Sequence, residues 1–191
     1  MPEEERKQKA RRNIKLLDLE LKSLINEKIR NVCNSGQEDT QKYLEILSET
    51  LQREDEFAHS LQQDDRMPYI LYQLGKGYYM AKEYEKACNY FSLSLSFDLN
   101  PKLEYVVDMV ETYGYALINS GQADKAMFFE NIYDEFGKTA DFKFLMGLIY
   151  MKNGLFDKAI EEFKKATQMP DGRMKGVNSY FADYNIGVIY E

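Results

Sequence analysis

Three glycines in the second half of this chain are each followed, twelve positions later, by an alanine: Gly75 by Ala87, Gly114 by Ala126 and Gly147 by Ala159. Bulky residues recur around these pairs, Tyr78 and Phe91 in the first, Leu117 in the second, Tyr150, Phe163 and a further Ala166 in the third. A fourth phrase opens with Gly187 and Tyr190. Equal spacing at three places predicts pairs of helices that cross in the same way each time. The glycine is expected on the first helix of a pair, where the second crosses it, with the alanine at the matching point. Leu74, Tyr78 and Phe91, then Met146, Tyr150 and Phe163, would fill the space on either side. An added side chain at such a crossing costs about 1–3 kcal/mol.

The rest of the chain is read from apolar periodicity and turn residues. Ile14, Leu17, Leu21, Leu24 or Ile25, and Ile29 make one stripe and predict a helix over 11–30. Residues 31–39 read as a break, with Asn34, Ser35 and Gly36 as turn formers. A second helix is expected over 40–62, carrying Tyr43 or Leu44, Leu47, Leu51, Ala58 and Leu61 on one side. This pair lacks the glycine-alanine phrase, so residues 1–62 read as a divergent helical hairpin capping an array over 68–191.

Pro68 is expected to open the first array helix, 68–81, with its partner over 83–97. Asn100 and Pro101 read as cap and first residue of a longer helix, 101–119, because the step from Gly75 to Gly114 is 39 residues. Gly121 ends the turn and the partner helix runs to about Phe136. The third pair is 140–152 and 156–168, with Asn153-Gly154 as the stop. A loop over 169–179 precedes a final helix from about Asn178, the first of an uncompleted fourth repeat. The expectation is about nine helices, all-α, with no strands.

Composition narrows the function classes. A net charge of −7 argues against the basic footprint of a nucleic-acid binder, and against anionic membrane surfaces. No apolar run approaches the roughly 20 residues that span a bilayer. Two cysteines, Cys33 and Cys88, give neither a metal spacing nor a disulfide framework, so a cytoplasmic protein is expected. His59 is the one histidine, and it follows Phe57-Ala58 on a predicted amphipathic helix with no partner to make it a general base. Glu54-Asp55-Glu56 beside Arg53 reads as a solvated helix face, Cys88 beside Ala87 as a small packing residue, and Arg6, Lys7, Lys9, Arg11 and Arg12 as a helix start balanced by Glu3, Glu4 and Glu5. The loop at Asp171-Gly172-Arg173 lacks a phosphate-binding signature. No catalytic residue, metal or cofactor is expected.

The glycine-alanine phrase resembles the tetratricopeptide repeat (TPR), a helix-turn-helix of roughly 34 residues. That resemblance implies a right-handed solenoid in which the first helix of each repeat lines a concave, partner-binding side. Its groove positions fall here on Tyr69, Tyr72, Lys76 and Tyr79; on Asp108, Glu111, Tyr115 and Ile118; on Asp141, Phe144, Leu148 and Met151; and on Phe181, Tyr184 and Val188. The set is aromatic and apolar, with acids in its second repeat. It lacks the Lys/Asn/Arg clamp with which chaperone-binding members take a terminal carboxylate. The stretches RRNIKLLDLELK, YILYQLGKGYYM, DFKFLMGLIYMKNGLFDKAIEEFKKAT and GVNSYFADYNIGVIYE further resemble the TPR region of bacterial family 2 glycosyltransferases, with residues Ser23 to Met67 inserted. This implies an accessory array of a sugar-transferring parent, and no donor site in this chain. The expected function is therefore a non-catalytic protein-interaction scaffold, with a protein or peptide ligand on the concave face. The alternative is a peptide-binding transcriptional or signalling regulator. Self-association is expected through the C-terminal end, where the last helix has no partner.

Overall fold

The computed structural model describes residues 3–29, 40–170 and 172–191. Among them it contains ten α-helices and one 3-10 helix, and no strand: an all-α helical-repeat fold of the TPR type. The turn expected at 31–39, Cys33 and Asp171 lie outside the described residues. The chain divides into two compact units, one up to Met109 and one from Val110.

The first unit contains α1 (Glu3–Lys28), α2 (Thr40–Leu51), α3 (Glu56–Gln62), α4 (Arg66–Met80), α5 (Tyr84–Ser94) and the opening turns of α6 (Glu104–Asn119). The single helix expected over 40–62 is two. The chain leaves helix after Leu51, and the Asp55 carboxylate accepts the Ala58 amide at 2.8 Å, starting α3 as an N-cap. Asp55 and Arg53, which ion-pair at 2.5 Å, thus belong to a helix junction and not to a continuous face. Pro68 does not open α4. The Asp64 carboxylate takes the amides of Arg66 (3.0 Å) and Met67 (2.7 Å), so the helix starts two residues earlier and Pro68 sits in its first turn, where a missing amide costs nothing. Asn100 and Pro101 likewise form a turn ahead of α6, in which the Asn100 side chain accepts the Lys102 amide at 3.0 Å.

Helix α1 lies along α4, and the two approach closely because Gly77 has no side chain. A Cβ there would stand 2.8 Å from Ile14. Ile14, Leu21, Leu24 and Ile25 of α1 join Leu47 and Leu51 of α2, and Leu71 and Leu74 of α4, in one buried core. Each such side chain contributes about 1.5–3 kcal/mol when buried.

The second unit continues with the remainder of α6, the 3-10 helix Lys125–Ile132, α7 (Tyr133–Phe136), α8 (Ala140–Lys152), α9 (Phe156–Thr167) and α10 (Tyr180–Tyr190). The expected α-helix to Phe136 is replaced by the 3-10 segment. In the first and third repeats a phenylalanine follows the alanine by four residues, but after Ala126 that position holds Glu130. Its place in the core goes to Phe129, three residues on and fully buried. A 3-10 helix, with three residues per turn, puts Ala126 and Phe129 on one side.

The repeat is visible in the backbone as well as in the sequence. Seven residues after each phrase glycine the chain takes a left-handed conformation, at Lys82 (φ 63°), Gly121 (φ 76°) and Gly154 (φ 73°). One residue further, the amides of Glu83, Gln122 and Leu155 reach back to the carbonyls of Tyr78, Leu117 and Tyr150 at 2.8–2.9 Å. This is the Schellman closure, which satisfies carbonyls left over at a helix end. Lys82 holds the strained member of the set, a conformation that glycine adopts freely.

The phrase glycines make room for rings and not for the alanines. A Cβ at Gly75 would stand 2.6 Å from the Phe91 ring, and one at Gly147 would stand 2.5 Å from Phe163. Gly114 instead faces Leu145 of the next repeat, at 2.6 Å, consistent with its irregular partner helix. At Gly187 nothing lies within 4 Å.

Candidate interaction surfaces

In the first unit, the expected groove positions stand on α4. Tyr69 is 44% exposed, whereas Tyr72 is 4% exposed and lies below the surface. Their rings meet Tyr105 of α6 at centroid distances of 5.3 Å (Tyr69) and 5.6 Å (Tyr72), edge-on or tilted, as aromatic quadrupoles prefer. Tyr105 was not among the expected positions. It stands three residues before Asp108, the first of them on α6, at the place equivalent to Arg66 on α4. Helix α6 starts at Glu104 with almost the length of α4, and the extra residues of this repeat lie ahead of it. Only its neighbourhood in space therefore places Tyr105 in the cluster. Tyr79 is half-buried, with its ring 5.4 Å from Tyr84.

Beneath the rings, Tyr72 donates its hydroxyl proton to Asp108 at 2.6 Å, and Lys76 donates to Asp108 at 2.8 Å and to Tyr72 at 3.0 Å. Burial, and secondarily the bond to Asp108, pushes the Tyr72 phenol up to about 12. Burial also raises Tyr133 and Tyr150 in the second unit, which are bonded to Glu162 and Glu130. The fold therefore keeps these phenols neutral, whereas in an unfolded chain they ionise near pH 10. Their contribution is intact below about pH 10 and is lost as pH rises from about 10 to 12. Urea midpoints should fall over that range, and Tyr72→Phe should flatten the fall.

In the second unit, the acidic positions are already occupied. Glu111 (7% exposed) pairs with the Arg173 guanidinium, and Asp141 (3% exposed) accepts the amides of Arg173 at 2.8 Å and Met174 at 2.9 Å. The loop after α9 thus closes over both carboxylates, and Gly172 sits against Asp141 where a Cβ would not fit. Phe144 is 5% exposed, its ring packed 5.4 Å from Phe163 and 6.4 Å from Phe181. Tyr115 and Leu148 are half-buried. Phe181 (39% exposed) and Tyr184 (69%) stand open on α10.

The densest titratable cluster lies elsewhere in this unit. Tyr133 donates to Glu162 at 2.6 Å, and Lys143 donates to the Tyr133 oxygen with its ammonium 3.8 Å from the ring centroid. Burial lowers Lys143, and Lys165 holds Glu162 at 2.7 Å. These groups satisfy one another and brace the 3-10 segment and α7 against α8 and α9. His59 is exposed and Cys88 is buried. Among the described residues no group of three His, Cys, Asp or Glu could hold a metal ion, and no helix is long and apolar enough to cross a membrane.

Residues 140–171, which span α8 and α9, match the family model of the tetratricopeptide repeat. No curated protein matches the chain. Helical repeats of this type present extended surfaces that generally bind protein partners.

Proposed function

We propose that the chain is a non-catalytic scaffold that binds a protein or peptide through aromatic side chains on the first helices of its repeats. The observation that carries this is the exposure of Tyr69 on α4 and Phe181 on α10, each six residues before its repeat's glycine, and of Tyr184 one turn beyond Phe181. Tyrosine suits such a surface because it offers a large amphipathic area with few torsions to freeze. We further propose that the array is the accessory region of a bacterial, cytoplasmic family 2 glycosyltransferase. The four sequence stretches named above support this, and a nucleotide-binding α/β domain in the flanking coding sequence is its test.

A peptide-display library panned against the whole chain supplies the probe. Truncating a hot-spot aromatic costs at least about 2 kcal/mol, so Tyr69→Ala, Phe181→Ala or Tyr184→Ala should weaken the selected peptide roughly thirtyfold at one or two positions. Glu161→Ala, at an exposed ion pair with Lys165, should leave binding within about twofold. Equal losses at all four would sink the reading.

A further inference from the structure

The flank of the α1–α4 contact holds a cavity of about 260 Å3. Beyond the crossing at Ile14 and Gly77 the two helices leave a wedge, lined from α1 by residues three and four apart and from α4 in the same way. Acids outnumber bases in this chain by 32 to 25. The wall of this cavity reverses that balance. It carries Arg6, Lys9 and Lys76, with the amides of Asn13 and Gln73, and no carboxylate. Lys9 has no ion-pair or hydrogen-bond partner among the described residues. Lys76 spends two of its three donors on Tyr72 and Asp108, which fixes the ammonium and leaves one N–H to give. Asp108 is not on the wall. The remaining lining is apolar, chiefly Leu17 and Met80.

We propose that this cavity binds a small anion on an apolar stem: a carboxylate or phosphate held by Lys9, Arg6 and Lys76, its hydrocarbon laid on Leu17 and Met80. The volume lies just below the usual range for small-molecule sites and suits a ligand of about ten non-hydrogen atoms. The site adjoins the aromatic surface, since Gln73 donates to the Tyr69 hydroxyl at 2.8 Å and Lys76 to that of Tyr72 at 3.0 Å, but its ligand does not depend on a peptide partner.

Calorimetry on the whole chain with octanoate tests it, with octylammonium and octanol as controls. Octanoate should bind with a Kd between about 10 µM and 1 mM, a modest efficiency for its size. Octylammonium should bind at least about tenfold more weakly, and Lys9→Glu, with an unchanged circular dichroism spectrum, should weaken octanoate by about tenfold or more. Met80→Gln should weaken it through the stem alone. Octyl phosphate and a short peptide ending in a leucine carboxylate, against its amide, distinguish the source of the anion: competition with octanoate by either supports the site and names its class. Equal binding of octylammonium or octanol, or indifference to Lys9→Glu, overturns the proposal. So does the absence of binding by all three anions up to about 10 mM, where a contact worth having would register.

Discussion

Replacing Ala159 with glutamate is expected to lower the unfolding free energy by about 4 kcal/mol or more, because it buries an unpaired charge. Ala159 is fully buried on α9, one turn before Phe163, whose ring lies against Gly147. Helix α9 has no slack there. The carboxylate would either stay among apolar groups or prise α9 from α8, exposing Phe163 and Ala166, both fully buried. Domains are stable by only about 5–15 kcal/mol, so the loss is a large fraction of the whole. Ala159→Ser should cost far less, since a hydroxyl can bond to its own helix backbone. Urea midpoints for the two variants check both statements. If Ala159→Glu unfolds like the parent, the register of α9 against α8 is wrong.

That register was legible because it rests on spacing alone. Gly147, Ala159 and Phe163 repeat Gly75, Ala87 and Phe91, and the two helix pairs built on them, α8–α9 and α4–α5, lie within three residues of their expected bounds. What sequence pattern misassigned was which atom the glycine makes room for. Spacing matches Gly75 to Ala87, but the ring of Phe91 is what reaches it, since a helix side chain leans over the preceding turn. The left-handed turn at Lys82 was hidden for a different reason. Lysine carries no mark of that conformation, and only the equivalence with Gly121 and Gly154 reveals it. The break between α2 and α3 was signalled by Asp55, a strong cap residue, but the apolar stripe through Leu51, Ala58 and Leu61 outweighed it.

The aromatic surface was legible only in part. Repeat position names the side of a helix, and Tyr69, Phe181 and Tyr184 are exposed at such positions. Repeat position says nothing of depth. Tyr72 and Phe144 hold equivalent places and are buried, one by the Tyr69 and Tyr105 rings, the other by Phe163 and Phe181. The fate of Glu111 depended on Arg173, 62 residues away, and no local pattern couples them. The wedge between α1 and α4 was equally invisible, because its cations come from two helices whose contact is set by Gly77.

Asp141→Ala should release the loop that follows α9. The buried carboxylate of Asp141 accepts two consecutive amides, those of Arg173 and Met174. Hydrogen bonds to a charged group contribute about 1.5–3 kcal/mol each, and methyl replaces both at once. The loss propagates to Glu111, which is buried and paired with the Arg173 guanidinium. Once the loop lifts, that carboxylate must take water or stand unpaired, so the strap is held at two points that depend on each other. Opening, and not global unfolding, is the cheaper response, because the loop's detachment restores solvent to every group involved. Trypsin reads this directly, since Arg173 and Lys175 lie in the strap and cleavage follows the population of the open form. Cleavage there should accelerate at least about tenfold, while the urea midpoint moves by less than in Ala159→Glu. Asp141→Asn, which keeps one acceptor, should fall between the parent and alanine. Arg173→Gln should accelerate cleavage after Lys175 to a smaller degree, because the two amides still hold the loop. If Asp141→Ala is cut no faster than the parent, the carboxylate does not anchor the strap and Glu111 is held by Arg173 alone.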